Sequence, residues 1–328
     1  MLARTCSGTF VIFLIAIAAA LLACSSTLAQ EYPSKPVRII VANPGTGTDF
    51  TARLVAQALS ERWGRPVVVD NRGGLPLTGA DLVAKAAPDG YTLHMGQVSS
   101  HATPMHLHKQ LPYDAVRDFS PIALVAKTTG FLVAHPSLPV DNVSDFVDYV
   151  RKRPGAIRHA GQLSGGTPSQ LAMWLFCSSL KLDILNVPYR GSGGAITAVL
   201  GAEAHVAFVN GAAVLPSIAA GKLKALAITS RARFAGTPSV PTINESVIPG
   251  FESSSWFGLL APAKTPSNLI DRLNRDIVAI VRSPRIKAVF VNQAMESTPS
   301  TPAEFAAFIQ DEITKWGRVI NAVGIKPE

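Results

Sequence analysis

The chain is 328 residues long, with 48% hydrophobic residues, a formal net charge of +8 and three cysteines. Its basic residues are scattered and form no stripe interleaved with aromatics, which argues against nucleic acid as a partner; a mild positive field suits small anions as well as it suits solubility. Cys6 and Cys24 stand within the first 29 residues, so the remainder carries Cys177 alone and no intrachain disulfide.

Arg4 precedes an unbroken apolar run from Phe10 to Ala23, fourteen residues, the length of a secretory h-region and too short to span a bilayer comfortably. The chain is therefore expected to be exported, with residues 1–29 as a signal peptide. Thr27-Leu28-Ala29 offers a small-residue cleavage site a few polar residues past the run and is the preferred reading. Leu21-Leu22-Ala23-Cys24 competes as a lipobox that leaves a lipid-carrying Cys24. Cleavage after Ala29 leaves about 300 residues, enough for two lobes each with its own core, and no second long apolar segment follows.

Val37, Ile39 and Val41 mark the first expected strand, and from Asp49 the apolar positions Val55 and Leu59 fall one helical turn apart. Between them "ANPGTGTD" joins strand to helix. Unpaired N–H groups and the positive end of the helix dipole make such a start approachable by a negative group. The loop has neither the Lys-Ser/Thr pair of a P-loop nor a G-x-G-x-x-G fingerprint, because Gly45-Thr46-Gly47 runs into Thr48-Asp49-Phe50. Two readings stay open on these residues: an anion cradle, or a plain turn with Thr48 or Asp49 capping the helix.

Gly64-Arg65-Pro66 ends that helix and Val67-Val68-Val69 reads as a second buried strand. Thr78 and Asp81 form an expected capping box opening "GADLVAKAA", and Pro88-Asp89-Gly90 turns the chain into the strand "YTLHM". This β-α-β-α-β order predicts a parallel sheet covered by helices. Beyond Gly130 a comparable pattern restarts: the strand "FLVAH", a helix from Ser144 to Arg153, the strand "IRHAG" and a helix from Pro168 to Leu180. "ILNVPY", a helix from Ala195 to Leu200, "HVAFV" and "LKALAI" continue it. Prolines and polar residues interrupt the pattern between Pro238 and Trp256. "WFGLLAP" then gives a short strand, and helices over about Pro266 to Val281 and Pro302 to Ala322 complete the chain. Ligands of α/β sheets bind at the carboxyl ends of the strands. Those ends carry "NPGTGTD", "GQVSSH", "GQLSGGTPS", "YRGSGG" and "VNG", the makings of a site built from backbone amides and hydroxyls.

Signs of catalysis are missing: there is no G-x-S-x-G, no H-E-x-x-H, and Ser192 in "RGSGG" has no identifiable acid and base beside it. The expectation is a protein that is not an enzyme. Cys177, in an apolar helical run, reads as a small buried hydrophobe. His94, His101, His106 and His108 fall within fifteen residues, but their spacing does not converge on a metal, and they are expected to face solvent or a ligand, His101 above all because it follows Ser99-Ser100. Neither metal nor cofactor is expected. Trp174 and Phe176 read as core, Trp256 as packing at a return crossing between lobes, and Arg190 stays open between a solvated rim charge and a carboxylate partner.

The segments "YPSKPVRIIV", "GRPVVVDNR", "GADLVAKAAPDGYTL", "LPYDAVRDFSPIALVA", "LVAHPSLPV", "VPYRGSGGAITAVLG", "AGKLKALAITS", "SSSWFGLLAPAKTP" and "STPAEFAAFI" resemble, in order and over essentially the whole mature chain, the Bug (TctC-like) family. These are periplasmic substrate receptors of tripartite tricarboxylate transporters. The resemblance implies an α/β, two-lobed type II periplasmic-binding-protein fold with a ligand cleft between the lobes. It implies residues 30–128 and 255–328 in lobe 1, residues 129–254 in lobe 2, and a periplasmic monomer. The partners implied are a small carboxylate (a dicarboxylate, a tricarboxylate or an aromatic acid) and membrane transporter subunits.

Carried over residue by residue, the resemblance places Asn43, Thr46, Gly47, Thr48 and Asp49 at the anion site, with Gln97, Ser99 and Ser100 from the same lobe. Ser164, Gly165, Gly166, Thr167 and Asn210 come from the other. Thr46 and Thr48 hydroxyls are expected to supplement the backbone, and Asp49 to turn back onto loop N–H groups. Three departures stand out. The family's first loop, close to P-F-A-P-G-G-x-T-D, is here "ANPGTGTD", one residue shorter; the glycine-rich loop after Asn71-Arg72 is also short; and Val209 stands where an aspartate often does, which disfavours an amino-acid ligand. Two alternatives remain, a ligand-sensing module signalling to a membrane receptor and an exported hydrolase.

Overall fold

Strand β1 (Val37–Val41) is buried on both faces: Val37, Ile39 and Val41 enter one apolar layer and Ile40 the other. Such a strand needs neighbours on both edges and helices above and below it. The computed structural model describes residues 32–73, 76–162 and 166–327; the leader, both cleavage readings, Cys6 and Cys24 lie outside them. β2 (Val67–Asn71) and β3 (Thr92–Gln97) flank β1 in parallel, as the sequence predicts. β4 (Phe119–Thr128), β10 (Trp256–Pro262) and β11 (Met295–Ser297) add antiparallel pairings, giving the order β11-β4-β10-β3-β1-β2. The second sheet, β7-β6-β8-β5-β9, comprises β5 (Gly130–Ala134), β6 (Arg158–Gln162), β7 (Leu185–Tyr189), β8 (Val206–Asn210) and β9 (Lys224–Ile228). It too is mixed: β6 pairs β7 and β8 in parallel, while β5 runs against β8 and β9.

The parallel arrangement expected from the β-α-β-α-β order holds for β1–β3, and the antiparallel β4, β10 and β11 make the sheet as a whole mixed. Pro121 interrupts the pattern of β4, and the pairing accommodates it with an irregularity: Pro121 sits opposite Leu260 of β10 beside a register shift.

Helices α1 (Gly47–Trp63), α10 (Ser267–Arg282) and α11 (Pro284–Val291) cover one face of the first sheet, and α2 (Pro76–Ala84) and α12 (Pro302–Ala322) the other. Short turns α3 (Val98–His101) and α4 (Pro104–Leu107) follow β3. On the second sheet α5 (Val143–Arg151) and α6 (Pro168–Leu180) lie on one face, α7 (Gly191–Leu200) and α8 (Gly211–Ala219) on the other, and α9 (Ile243–Ser246) precedes the return crossing. α2 starts at Pro76, two residues before the expected Thr78 cap, since proline needs no hydrogen bond in a first turn. α8 and α11 escape sequence reading because each carries a proline that looks like a stop: Pro216 inside α8, and Pro284 at the start of α11, where Ser283 caps the new helix.

The chain crosses between the sheets twice, at Thr128–Gly130 and over residues 251–256, and Thr128 N–H donates to Ser255 O at 2.8 Å. Beneath this point lies Glu312, only 4% exposed. Its Oε2 accepts the indole N–H of Trp256 at 3.1 Å and of Trp316 at 2.9 Å, and Lys315 pairs with Oε1. α6 belongs to both lobes: Ala172, Met173 and Phe176 pack on the second sheet, while Leu171 and Trp174 pack into the layer that holds Trp256 and Trp316.

The buried histidines tie stability to pH. His159 is fixed on both sides, by Asn186 Oδ1 at 2.9 Å from Nδ1 and by Phe208 N–H donating to Nε2 at 3.1 Å. Burial pushes both His94 and His159 down to about 4. Each is neutral when folded but takes a proton near pH 6.5 when unfolded, so stability is full above about pH 6.5 and drains away as pH falls toward about 4. Urea unfolding at pH 5 should give a stability lower than at pH 7 by about 2 kcal/mol for each of the two, and His159→Gln should remove one such share of the difference. Glu312→Ala, which leaves two indole N–H groups without their acceptor, should cost about 3–5 kcal/mol in urea unfolding followed by tryptophan fluorescence.

Candidate functional site

The first loop is organised by a carboxylate that faces away from the cleft. Gly45 adopts φ +72°, a conformation glycine takes without strain. Its N–H donates to Asp49 Oδ2 at 3.0 Å, Asn71 Nδ2 donates to Oδ1, and Arg53 spans both oxygens. Burial raises the Asp49 carboxyl, but Arg53, Asn71 and the Gly45 N–H more than offset this, so it stays below the ordinary carboxylate range. Thr46 caps α1, its Oγ1 accepting Asp49 N–H at 3.3 Å and donating to Asn43 O at 2.9 Å. Gly47 sits so close to Phe257 that a Cβ would lie 2.9 Å from the ring.

Thr48 Oγ1 donates to Gln97 Oε1 at 2.6 Å. The hydroxyl protons of Thr46 and Thr48 are thus both directed within the protein; Gly47 and Thr48 line the cavity as the first residues of α1, whose N–H groups have no intrahelical acceptor, and Gln97 lines it beside them with its Nε2 donor not used by Thr48.

A cavity of about 630 Å³ opens between the sheets. Asn43, Thr46, Gly47, Thr48, Gln97 and Ser99 line it from the first lobe, and Gly166, Thr167 and Asn210 from the second. Ser164 and Gly165 lie outside the described residues. Asp49 and Ser100 are not on its wall: Asp49 is turned into the loop, and Ser100, 1% exposed, exchanges hydrogen bonds with the Gln97 backbone as part of the α3 cap. The second lobe contributes helix starts: Thr167 caps α6, Asn210 caps α8 by accepting Ala212 N–H at 3.1 Å, and Ser192 stands in the first turn of α7. Four helices of nine residues or more therefore begin at one cavity.

Sequence reasoning missed the floor and much of the apolar wall. Thr128, Gly130, Thr229, Ser253 and Ser255 come from the crossings and the strand ends beside them, and Leu77, Leu107, Phe208 and Phe257 from the walls. The serine run 253–255 was the one available signal, since three small polar residues directly before a buried strand need a polar surface to face.

The histidine expectation is corrected. His94 and His101 are buried, with ring centroids 5.3 Å apart, and His101 packs edge-on to Phe119 at 4.6 Å; burial holds its imidazole well below the usual range. His106 engages Ile313 O, and only His108 reaches the cavity wall. Arg190 is exposed and does not line the cavity. Ser192 Oγ accepts from Gln162 Nε2 at 3.1 Å, a contact that supplies no base. Among the described residues no group of three or more histidine, cysteine or acidic side chains is placed to hold a metal, and no helix is long and apolar enough to cross a membrane.

Two α/β lobes joined by paired crossings, with helix starts gathered on a cavity between them, define a two-lobed solute-binding protein of the type II periplasmic class. The chain belongs to the TctC family, described as the tripartite tricarboxylate transporter family receptor, whose profile matches residues 51–325. It is 36% identical over 301 residues to the protein BugT of Bordetella pertussis, covering 91% of this chain and 92% of that one. Among solved structures, R. palustris Rpa4515 with adipate is 32% identical with a TM-score of 0.79, covering 91% of this chain and all of that one. MatC from Rhodopseudomonas palustris with bound malate is 28% identical with a TM-score of 0.72, covering 88% and 100%.

Asp49→Ala removes the acceptor of Gly45, Asn71 and Arg53 without touching the cavity wall. It should lower stability by about 2 kcal/mol in thermal or urea unfolding and weaken ligand binding at least tenfold by calorimetry, because the Gly47 and Thr48 amides lose their support.

Proposed function

We propose that this protein is a periplasmic receptor that captures a small carboxylate and presents it to the membrane subunits of a tripartite tricarboxylate transporter. One observation carries the reading: Gly47 and Thr48, whose N–H groups in the first turn of α1 have no intrahelical acceptor, line a cavity between the lobes together with Gln97, while the nearby carboxylate of Asp49 is turned into the loop. Hydrogen bonds to a charged group contribute about 1.5–3 kcal/mol each and the dipole of α1 adds about 0.3–1 kcal/mol. Micromolar affinity needs only about −8 kcal/mol in all. Backbone donors and closure of the lobes suffice, and a receptor that must release its cargo has no need of a buried arginine clamp.

In this reading Asn43, Thr46, Gly47, Thr48, Gln97 and Ser99 form the lobe 1 half of the site, and Ser164, Gly165, Gly166, Thr167 and Asn210 the lobe 2 half. Asp49 and Ser100 act from behind. Lobe 1 is residues 30–128 with 255–328, lobe 2 is residues 129–254, and the protein works as a monomer that binds without turnover. Adipate and malate in the related structures support a carboxylate ligand. Thermal-shift screening of carboxylates, amino acids, amides and sugars, followed by calorimetry on the hits, should return carboxylates alone. Tight and exclusive binding of neutral sugars would overturn the reading.

A further inference from the structure

Phe251 packs in the core of the second sheet and Trp256 in a core of the first, so the return crossing proper runs over residues 252–255. At its start Ser253 N–H donates to Thr229 O at 2.9 Å, and Thr229 N–H donates to Gly130 O. Glu252, anchored through both chain neighbours, therefore travels with the second lobe. Lys127 travels with the first: it lies inside β4, opposite Trp256 of β10 and Glu296 of β11.

These two residues meet. Lys127 Nζ stands 2.7 Å from Glu252 Oε1 and 4.6 Å from the centre of the Phe308 ring on α12. Of the ion pairs between described residues, this one alone joins the two lobes. Lys315 of α12 adds a backbone tie, its Nζ donating to Glu252 O at 3.4 Å. Burial raises the Glu252 carboxyl, but Lys127, Lys315 and Arg231 more than offset this and hold it below the ordinary range; the neighbouring Glu296 carboxyl is raised by its own burial. The side chains of Lys127 and Glu252 are 23% and 24% exposed, so solvent screens their attraction only in part.

Neither residue lines the cavity, yet each adjoins its floor: Thr128 follows Lys127, and Ser253 follows Glu252. Turning the second lobe away from the first draws Glu252 off Lys127 and leaves two half-buried charges without each other. The pair is made in the arrangement where both lobes share one cavity.

We propose that the Lys127–Glu252 ion pair positions the lobes: it holds them at the angle that gives one shared cavity, and so sets ligand affinity from outside the cavity wall. The effect on affinity rests on the receptor reading, whereas the effect on the lobe angle does not. Apparent affinity falls with the fraction of molecules in the competent arrangement.

Small-angle X-ray scattering of the ligand-free protein, with calorimetry against adipate and malate, tests this on Lys127→Met, which keeps an apolar stem over Phe308, on Glu252→Ala and on Lys127→Arg. The first two should show a larger radius of gyration and about fivefold weaker binding. Lys127→Arg should match the natural chain in both, and the Met–Ala double variant should be no worse than either single one, since all act through one pair. Urea unfolding of each variant sets conditions under which it is folded, so lost stability is not read as lost affinity. An unchanged radius of gyration in Lys127→Met and Glu252→Ala overturns the proposal whether or not an acid binds, and a changed radius with undiminished affinity overturns it too. Failure of the natural chain to bind either acid counts against the receptor reading, and the scattering still decides the role of the pair.

Discussion

Glu312 is a buried carboxylate whose acceptors are filled by two tryptophan indoles and a lysine, and its position gives those contacts their weight. Trp256 follows directly on the return crossing, Trp316 belongs to the last long helix, and Lys315 Nζ also reaches the backbone of Glu252 within that crossing. One charge thus fastens the C-terminal helix to the place where the chain re-enters its first sheet. With that segment fixed, Ser255 O is set to accept Thr128 N–H, and the two crossings run side by side as the floor of the cavity.

The binding loop follows the same economy. Its acidic residue is not aimed at the ligand but folded back onto the loop, where Gly45, Asn71 and Arg53 complete its coordination. A carboxylate that faced the cavity would repel an anion; turned inward it fixes the loop instead. The formal charges of this loop thus lie behind the cavity wall, while the described wall is made of neutral side chains, backbone and hydroxyl groups, with His108 among them. His94 and His101 lie beneath the neighbouring loop in the same spirit: they fill the space under Gln97 and Ser100 as neutral rings.

Much of this was legible in the residues. The strand-loop-helix signal of residues 37–59 and the segments beginning at Gly130 gave the two α/β units, because their apolar periods are clean and their turns end in glycine or proline. β4, α8 and α11 were hidden by Pro121, Pro216 and Pro284, whose local meaning depends on what lies beside them in space. Asn43, Gln97, Gly166, Thr167 and Asn210 stand at the cavity because strand ends and helix starts gather there in any such fold. Burial of His101 and Ser100 could not be read, since a short polar turn looks the same whether the chain folds over it or leaves it open. The rings that cover them, Tyr113 and Phe119, arrive from beyond the next turns of the chain.

The amides of Gly47 and Thr48 are part of the main chain, so no point substitution short of proline deletes them. Under the proposed reading the donors for an acid group are in that sense inherited with the fold, whereas Leu77 and Leu107 on the cavity wall are ordinary side chains open to replacement. Capture of the charge and choice of the rest of the molecule are therefore separable traits. A lineage built on this frame can change what it collects by altering a handful of wall positions, keeping the charge-binding step intact at every stage.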